Sequence, residues 1–197
     1  SVTVTVKGNS IINGDIEVSG KIGNGQSRQL NIENGTFNGK FKVANTPANI
    51  TVSGGKFSTE IPEDYCADGF IPTQNADGTY GVKTGVYVAQ NGNEKYVSLQ
   101  AAIDAAKAGD TVTLLGDAVV TERIVINKSI TLDLNGKTIK NTLDIWGNVN
   151  GVNITSLILI DGGANVTVTG NGTIAAKEND CYTFNVNGNS TLTIENG

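Results

Sequence analysis

The chain has 197 residues, which is enough for one or two domains with a substantial core. Its net charge is −5 and charged residues make up only 17% of it, which argues against a surface for nucleic acid or anionic membrane. It contains 25 Gly, 3 Pro and 6% aromatic residues, a mix typical of many short strands joined by tight turns. No apolar run reaches the roughly 18 residues of a membrane span.

The two ends of the sequence resemble each other without a gap. When residues 1–35 are aligned with residues 163–197, Val-Thr-Val at 4–6 falls on Val-Thr-Val at 166–168. The pattern Leu-x-Ile-Glu-Asn-Gly at 30–35 likewise falls on residues 192–197. This offset predicts a repeat protein with a unit of about 160 residues. The alternative is that successive coils of one β-solenoid resemble each other because each needs the same pattern.

Apolar and polar residues alternate along much of the chain, which predicts strands with one buried face. Residues 2–6, 130–134, 166–168 and 192–194 follow this pattern. Many such runs end in Asn-Gly, which tolerates a sharp turn, and a short second strand follows. We therefore expect an all-β fold, namely a right-handed parallel β-helix. A β-sandwich is the alternative, because Asn-Gly also forms antiparallel hairpins.

Residues 1–84 are interpreted as the C-terminal half of one β-helix unit, ending in a cap over residues 57–83. Residues 70–74 and 79–82 flank Asn-Ala-Asp-Gly at 75–78, which is a hairpin signal within that cap. Residues 85–197 are interpreted as the N-terminal half of the next unit. They open with a second hairpin, in which residues 86–88 and 95–97 flank Asn-Gly-Asn at 91–93.

One segment after this hairpin has a helical rather than a strand pattern. The apolar residues Leu99, Ala102, Ile103 and Ala106 are spaced to lie on one face of a helix. Ser98 can cap its start and Gly109 can end it. We expect one short α-helix near residues 98–108, covering the open end of the second solenoid.

The sequence offers little for catalysis. Histidine is absent, which removes the commonest general base and metal ligand, and the acidic residues are scattered. Glu60, Glu63 and Asp64 could form an acidic patch for Ca²⁺, but they lack the spacing of a calcium loop. Glu178 and Asp180 are interpreted as solvated charges in a corner. We therefore expect no enzymatic activity, no metal site and no cofactor.

The two cysteines, Cys66 and Cys181, are far apart in the sequence and lack the spacing of a zinc or redox motif. We expect both to be unpaired small apolar residues rather than a disulfide.

Trp146 is the single tryptophan, and it lies in a segment interpreted as an irregular insertion between coils. Aromatic side chains on loops can stack on sugar rings, although packing in the core is the more common role. If the chain has a ligand site, we expect it here, with Asn148, Asn150 and Asn153 as polar partners of Trp146.

Two stretches carry a resemblance to known families. The segment G-G-K-F-S-T-E-I-P-E-D-Y-C-A-D-G-F-I-P-T-Q-N-A-D-G-T-Y-G-V (residues 54–82) resembles a recurrent segment of large secreted surface proteins of gut bacteria. The segment Y-V-S-L-Q-A-A-I-D-A-A-K-A-G-D-T-V-T-L-L (residues 96–115), followed by I-T-L-D-L-N-G-K-T-I (residues 130–139), is similar to the opening of pectin-lyase-like right-handed β-helices.

The resemblance implies a repeat module of an extracellular protein attached to the bacterial cell surface, with a structural or adhesive role. A carbohydrate-binding or polysaccharide-degrading β-helix is the alternative, because the same fold serves both. The expected partners are glycans or host surface proteins, and neighbouring repeats of the same chain. No nucleic acid and no membrane span are expected for these residues.

Overall fold

The computed structural model describes residues 1–19, 27–44 and 48–195, and within them the protein is all-β with a single α-helix. The all-β class predicted from the alternating pattern is confirmed. The chain divides into two compact units, Ser1–Val86 and Tyr87–Gly197. In the part that is described, no helix is long and apolar enough to cross a membrane. Cys66 and Cys181 are both free thiols in this structure.

The first unit consists of short strands and one 3-10 turn (Glu63–Tyr65). Its strands are β1 (Val2–Val6), β2 (Ile11–Asn13), β3 (Ile16–Ser19), β4 (Arg28–Ile32), β5 (Thr36–Asn38), β6 (Phe41–Ala44), β7 (Ala48–Val52), β8 (Lys56–Phe57), β9 (Phe70–Gln74) and β10 (Tyr80–Thr84).

Three parallel sheets organise the first unit: β1-β4-β7, β2-β5-β8 and β3-β6. In the first of these sheets, Leu30 pairs with Ile50 and Ile32 pairs with Val52. All four of these side chains are buried, because alternate residues of a strand point to the same face. The second sheet stacks the rings of Phe37 and Phe57 at 5.0 Å between centroids.

The predicted hairpin at the end of the first unit is confirmed. β9 and β10 pair antiparallel across the turn at 75–78, and β10 pairs with the last parallel strand, β8, through Tyr80 and Phe57. The side chain of Asp77 accepts hydrogen bonds from the backbone N–H of Thr79 and from Lys56 Nζ at 2.6 Å. The hairpin therefore covers the edge that β8 would otherwise expose.

The second unit consists of strands and the helix α1 (Leu99–Ala105). Its strands are β11 (Ala89–Asn91), β12 (Glu94–Tyr96), β13 (Thr111–Leu114), β14 (Ala118–Val120), β15 (Ile124–Ile126), β16 (Thr131–Asp133), β17 (Thr138–Asn141), β18 (Gly147–Val149), β19 (Val152–Ile154), β20 (Ser156–Ile160), β21 (Asn165–Thr169), β22 (Thr173–Ala175), β23 (Tyr182–Val186) and β24 (Thr191–Ile194).

Three parallel sheets also organise the second unit: β13-β16-β21-β24, β14-β17-β22 and β15-β20-β23. Antiparallel pairs occur at the hairpin β11-β12, where β11 also pairs with β13, and at the hairpin β18-β19. A sandwich of antiparallel hairpins, the alternative fold, therefore does not describe these sheets.

One buried apolar cluster fills the second unit and receives side chains from all three parallel sheets and from α1. Val112, Leu132 and Val168 form one row of this cluster, since Val112 pairs with Leu132 and Leu132 with Val168. The corners between strands use the predicted Asn-Gly pairs. Asn135 and Asn171 take positive φ angles of 47° and 44°, which Asn tolerates better than most residues.

The predicted helix is present and its four predicted core residues, Leu99, Ala102, Ile103 and Ala106, are all buried. Its N-cap is Ser98, whose side chain accepts a hydrogen bond from the backbone N–H of Ala101. The side-chain amide of Gln100 pairs with both the N–H and the C=O of Val125 in β15. The helix therefore satisfies backbone groups at the edge of a parallel sheet.

The predicted end of the helix was wrong. The helix ends at Ala105, several residues before Gly109, because Ala106 turns to an extended conformation and buries its methyl group. Lys128 Nζ donates hydrogen bonds to the carbonyl oxygens of Ile103, Asp104 and Ala106 at the end of the helix, where the Ile103 carbonyl also accepts from the backbone N–H of Ala106. A cation at this position also complements the helix dipole.

We expect Lys128→Met to destabilise the end of α1 while keeping most of the aliphatic stem. Hydrogen bonds to a charged group contribute about 1.5–3 kcal/mol, and we expect a loss of about 1–2 kcal/mol for this half-buried lysine. The measurement is the opening free energy from hydrogen exchange of the α1 amides. The control is Lys107→Met on the exposed side of the same segment. Equal protection in the two variants would contradict the role given to Lys128.

Candidate functional site

Trp146 lies on the surface of the second unit, at the end of the segment 142–146, which we call the Trp146 loop. Its neighbour Ile145 is buried in the core, whereas the indole of Trp146 remains 51% exposed. The indole meets the ring of Tyr182 edge to face, with centroids 5.8 Å apart and an interplanar angle of 68°. Tyr182 is itself 68% exposed. We call these two rings the aromatic corner.

One carboxylate, that of Asp180, holds the Trp146 loop in place. It accepts hydrogen bonds from the backbone N–H of Ile145 at 2.9 Å and from the backbone N–H of Trp146 at 3.0 Å. It also accepts one at 2.8 Å from Nδ2 of Asn141, a buried residue. Charge-assisted bonds of this kind are stronger than neutral ones, so the backbone beneath the indole is well fixed.

Asn141 extends the same network to both sides. Its Nδ2 also donates to the carbonyl oxygen of Leu143 at 2.9 Å, and its Oδ1 accepts from the backbone N–H of Lys177 at 2.8 Å. The Lys177 ammonium group in turn forms an ion pair with Asp144. The network thus ties the Trp146 loop to the turn that follows β22, at residues 177–180.

The protonation states of this network follow from its contacts. Burial opposes ionisation of Asp180, but the hydrogen bonds from Ile145, Trp146, Cys181 and Asn141 outweigh it and lower the pKa of Asp180 below its ordinary value. Burial, a hydrogen bond to Asp180 and the charge of that carboxylate raise the pKa of the Cys181 thiol to about 11. Cys181 is therefore a neutral thiol at neutral pH and a poor nucleophile.

Next to the Trp146 loop, the segment interpreted as irregular contains the hairpin β18-β19. Asn148 and Asn153 are cross-strand partners, and Nδ2 of Asn148 donates to Oδ1 of Asn153 at 3.0 Å. Oδ1 of Asn148 accepts from the backbone N–H of Gly151 at 2.9 Å. Asn150 occupies the turn with a positive φ of 52°.

A cleft of about 470 Å³ lies between this hairpin and the turn at residues 121–123. The residues that line it are Thr121, Glu122, Arg123, Val125, Asp144, Ile145, Trp146, Val149, Asn150, Val152 and Ile154. Val149 and Val152 are each about half exposed, at 51% and 50%. The volume lies within the range of small-molecule sites, roughly 300–1,000 Å³.

The charged groups at the cleft balance one another. The guanidinium of Arg123 donates through Nη1 to the carbonyl oxygen of Asn153, and the carboxylate of Glu122 lies on the same turn. Asp144 is neutralised by Lys177. The cleft therefore combines donors, acceptors and an aromatic wall without a net charge that would select a charged ligand.

The structure brings together two of the four residues predicted for a site. Trp146 and Asn150 both line the cleft. Asn148 and Asn153 are not among its lining residues, and their amides bond to each other. Sequence reasoning missed Asp180, which it interpreted as a solvated corner charge, and it missed Tyr182. Neither residue has a local sequence signal. Asp180 could be found only by predicting that β17 stacks on β22, which brings residue 141 close to residue 177.

Metal binding gains no support from the arrangement of the acidic residues. Over residues 1–19, 27–44 and 48–195, no group of three or more His, Cys, Asp or Glu side chains is placed to hold a metal ion. The patch of Glu60, Glu63 and Asp64 at the 3-10 turn does not form such a group.

We expect Asp180→Asn to loosen the Trp146 loop, because an amide offers a single acceptor and turns an NH₂ group towards backbone donors. Trp146 is the single tryptophan, so its fluorescence reports this loop alone. The expected result is a red-shifted emission and stronger quenching by acrylamide than in the unchanged protein. Glu178→Gln, an exposed neighbour, is the control. Identical quenching in the two variants would contradict the anchoring role of Asp180.

The same loop should respond to acid in a defined direction. Since the pKa of Asp180 is lowered in the folded state, its carboxylate stabilises the fold above the unfolded-state pKa of about 4. This contribution is lost as the pH falls through the lower, folded-state pKa. We expect constant Trp146 fluorescence from about pH 7 to pH 4 and a transition below that range. A transition centred above about pH 5, or one that persists in Asp180→Asn, would contradict this assignment.

In comparisons with protein-family models, curated proteins and solved structures, nothing matches this chain.

Proposed function

We propose that the chain is a non-catalytic structural and adhesive repeat module of a bacterial surface protein, built as a right-handed parallel β-helix. The observation that carries this proposal is the identical pairing of the two equivalent end segments. In the first segment Val4 pairs with Leu30 and Val6 with Ile32. In the second segment, Val166 pairs with Leu192 and Val168 with Ile194.

The burial of these equivalent residues depends on which strands stack beside them. Val4 is 52% exposed, whereas its equivalent Val166 is 1% exposed. The reverse holds for Ile32, which is fully buried, and its equivalent Ile194, which is 59% exposed. Each pair of strands thus has the same register, and burial differs because β4 stacks on β7 while β21 stacks on β16. In a repeat array, each strand is expected to be buried mainly by the strands on either side of it.

The order of the strands supports the β-helix. In the first unit the chain visits the three parallel sheets in turn as β1, β2 and β3, and then again as β4, β5 and β6. In the second unit it makes the same circuit as β13, β14 and β15. A chain that returns to the same sheet at each circuit and pairs in parallel with its previous strand is the pattern of a β-solenoid.

The chemistry at the cleft favours binding over cleavage. A glycosidase needs a carboxylic acid with a raised pKa and a second free carboxylate. In the part of the chain that the structure describes, two carboxylates line the cleft, those of Glu122 and Asp144, and Asp144 is paired with Lys177. Asp180, outside the cleft, has a lowered pKa and holds the Trp146 loop. Glu122 therefore has no free carboxylate partner in the cleft, so we assign the module to adhesion rather than to polysaccharide cleavage.

The extracellular setting rests on the resemblance of two segments to surface-protein repeats and to β-helix openings. The first, residues 54–82, runs from the last parallel strand of the first unit into its hairpin. The second, residues 96–115, holds the capping helix and the strand β13. These are the segments that end one unit and begin the next, where a repeat array has its boundaries.

We expect antibodies raised against this chain to label intact, unpermeabilised source cells. Limited proteolysis of the natural protein should cut near the boundary between compact units and give a ladder with steps of about 160 residues. The measurements are microscopy of intact cells and mass spectrometry of the fragments. Labelling only after permeabilisation would contradict the surface location, and fragments without a regular step would contradict the array.

Release of reducing or unsaturated sugar ends from polysaccharides would contradict the non-catalytic role.

A further inference from the structure

The aromatic corner is an exposed apolar surface on a rigid support. Trp146 and Tyr182 are both more than half exposed, and the backbone beneath Trp146 is fixed by Asp180. Large aromatic side chains that are held in place at the surface rather than packed are typical of binding sites. Their edge-to-face contact leaves Tyr182 exposed next to Trp146, which itself lines the cleft.

The cleft beside Trp146 adds polar groups suited to hydroxyls. Thr121 offers a hydroxyl, Asn150 an amide, Arg123 a guanidinium and Glu122 a carboxylate. A sugar hydroxyl both donates and accepts, so it can match a mixed set of donors and acceptors of this kind. Because the charges of the cleft balance, they give no advantage to an acidic saccharide.

We propose that the cleft and the aromatic corner bind a neutral saccharide, with one sugar ring stacked on Trp146 and its hydroxyls directed to the turn at residues 121–123. Tyr182 supplies a second platform for an adjoining sugar. This proposal rests on the adhesive function proposed above and names its ligand class. The competing occupant is a protein partner. Such a partner would cover the exposed Val149 and Val152 of the hairpin β18-β19, and its binding would not depend on the ring face of Trp146.

The anchoring by Asp180 explains how a shallow cleft can bind. A loop that is already fixed in the unbound protein loses little conformational entropy when a ligand arrives. Ile145 holds the loop from the core, and Asp180 holds it from the neighbouring turn. Binding of saccharide should therefore depend on Asp180 through the position of Trp146, although Asp180 does not line the cleft.

The experiment uses the whole chain and a panel of neutral hexasaccharides, namely gluco-, xylo-, manno- and galacto-oligosaccharides, with an oligogalacturonate as the acidic comparison. Binding is followed by the fluorescence of Trp146 and by calorimetry. We expect saturable quenching with at least one neutral oligosaccharide. Trp146→Ala, followed by calorimetry, should weaken binding at least tenfold, whereas Trp146→Phe should retain most of it.

Further variants separate a binding role from a folding role. Tyr182→Ala and Arg123→Met should each weaken binding about threefold to tenfold without changing the circular dichroism spectrum. Val86→Ala, an exposed apolar residue of the first unit, is the control and should bind like the unchanged protein.

Three results would overturn the proposal: no response to any neutral saccharide, tighter binding of the oligogalacturonate, or equal affinity in Trp146→Ala. Capture of a cell-surface protein that Val149→Asp abolishes and no saccharide displaces would assign the surface to a protein partner instead. None of these results bears on the surface labelling or the proteolytic ladder, so the proposed function can stand if this site fails.

Discussion

In-register stacking of apolar side chains along parallel strands is the constraint on which the rest of this structure depends. Val112, Leu132 and Val168 occupy one row of the second unit, and Leu30 and Ile50 belong to such a row in the first. A slip of one residue would turn every one of these side chains to the opposite face. The corners therefore return the chain to each sheet in the same register, while the helix and the β9-β10 hairpin cover sheet edges.

Much of this fold could be predicted from the sequence because its signals are local. Alternation over a few residues predicts a strand, Asn135 followed by Gly136 predicts a corner, and the spacing from Leu99 to Ala106 predicts a helix. The end of the helix could not be predicted, because it depends on the extended, buried Ala106 and on the distant ammonium group of Lys128, and not on a nearby glycine. The hairpin β18-β19 was also missed, although Asn150-Gly151 between Val149 and Val152 is the sequence signal of a two-residue hairpin turn.

The candidate site illustrates the same division between local and distant signals. Trp146 could be singled out because it is the single tryptophan and lies outside the regular pattern. Its polar surroundings could not be predicted, because nearness in sequence pointed to Asn148 and Asn153, which use their amides within the hairpin. The group that positions the indole, Asp180, and its aromatic neighbour, Tyr182, come from more than 30 residues further along the chain.

The separation between the Trp146 loop and its anchor has a consequence for synthesis. A ribosome makes the loop before it makes Asp180, which lies 34 residues after Trp146. Until that carboxylate arrives, the backbone N–H groups of Ile145 and Trp146 lack this acceptor. Parallel strands can pair with the strands before them as they emerge, but this surface is completed only when Asp180 and Tyr182 have been made. The surface proposed to bind ligand therefore takes shape later than the loop that carries Trp146.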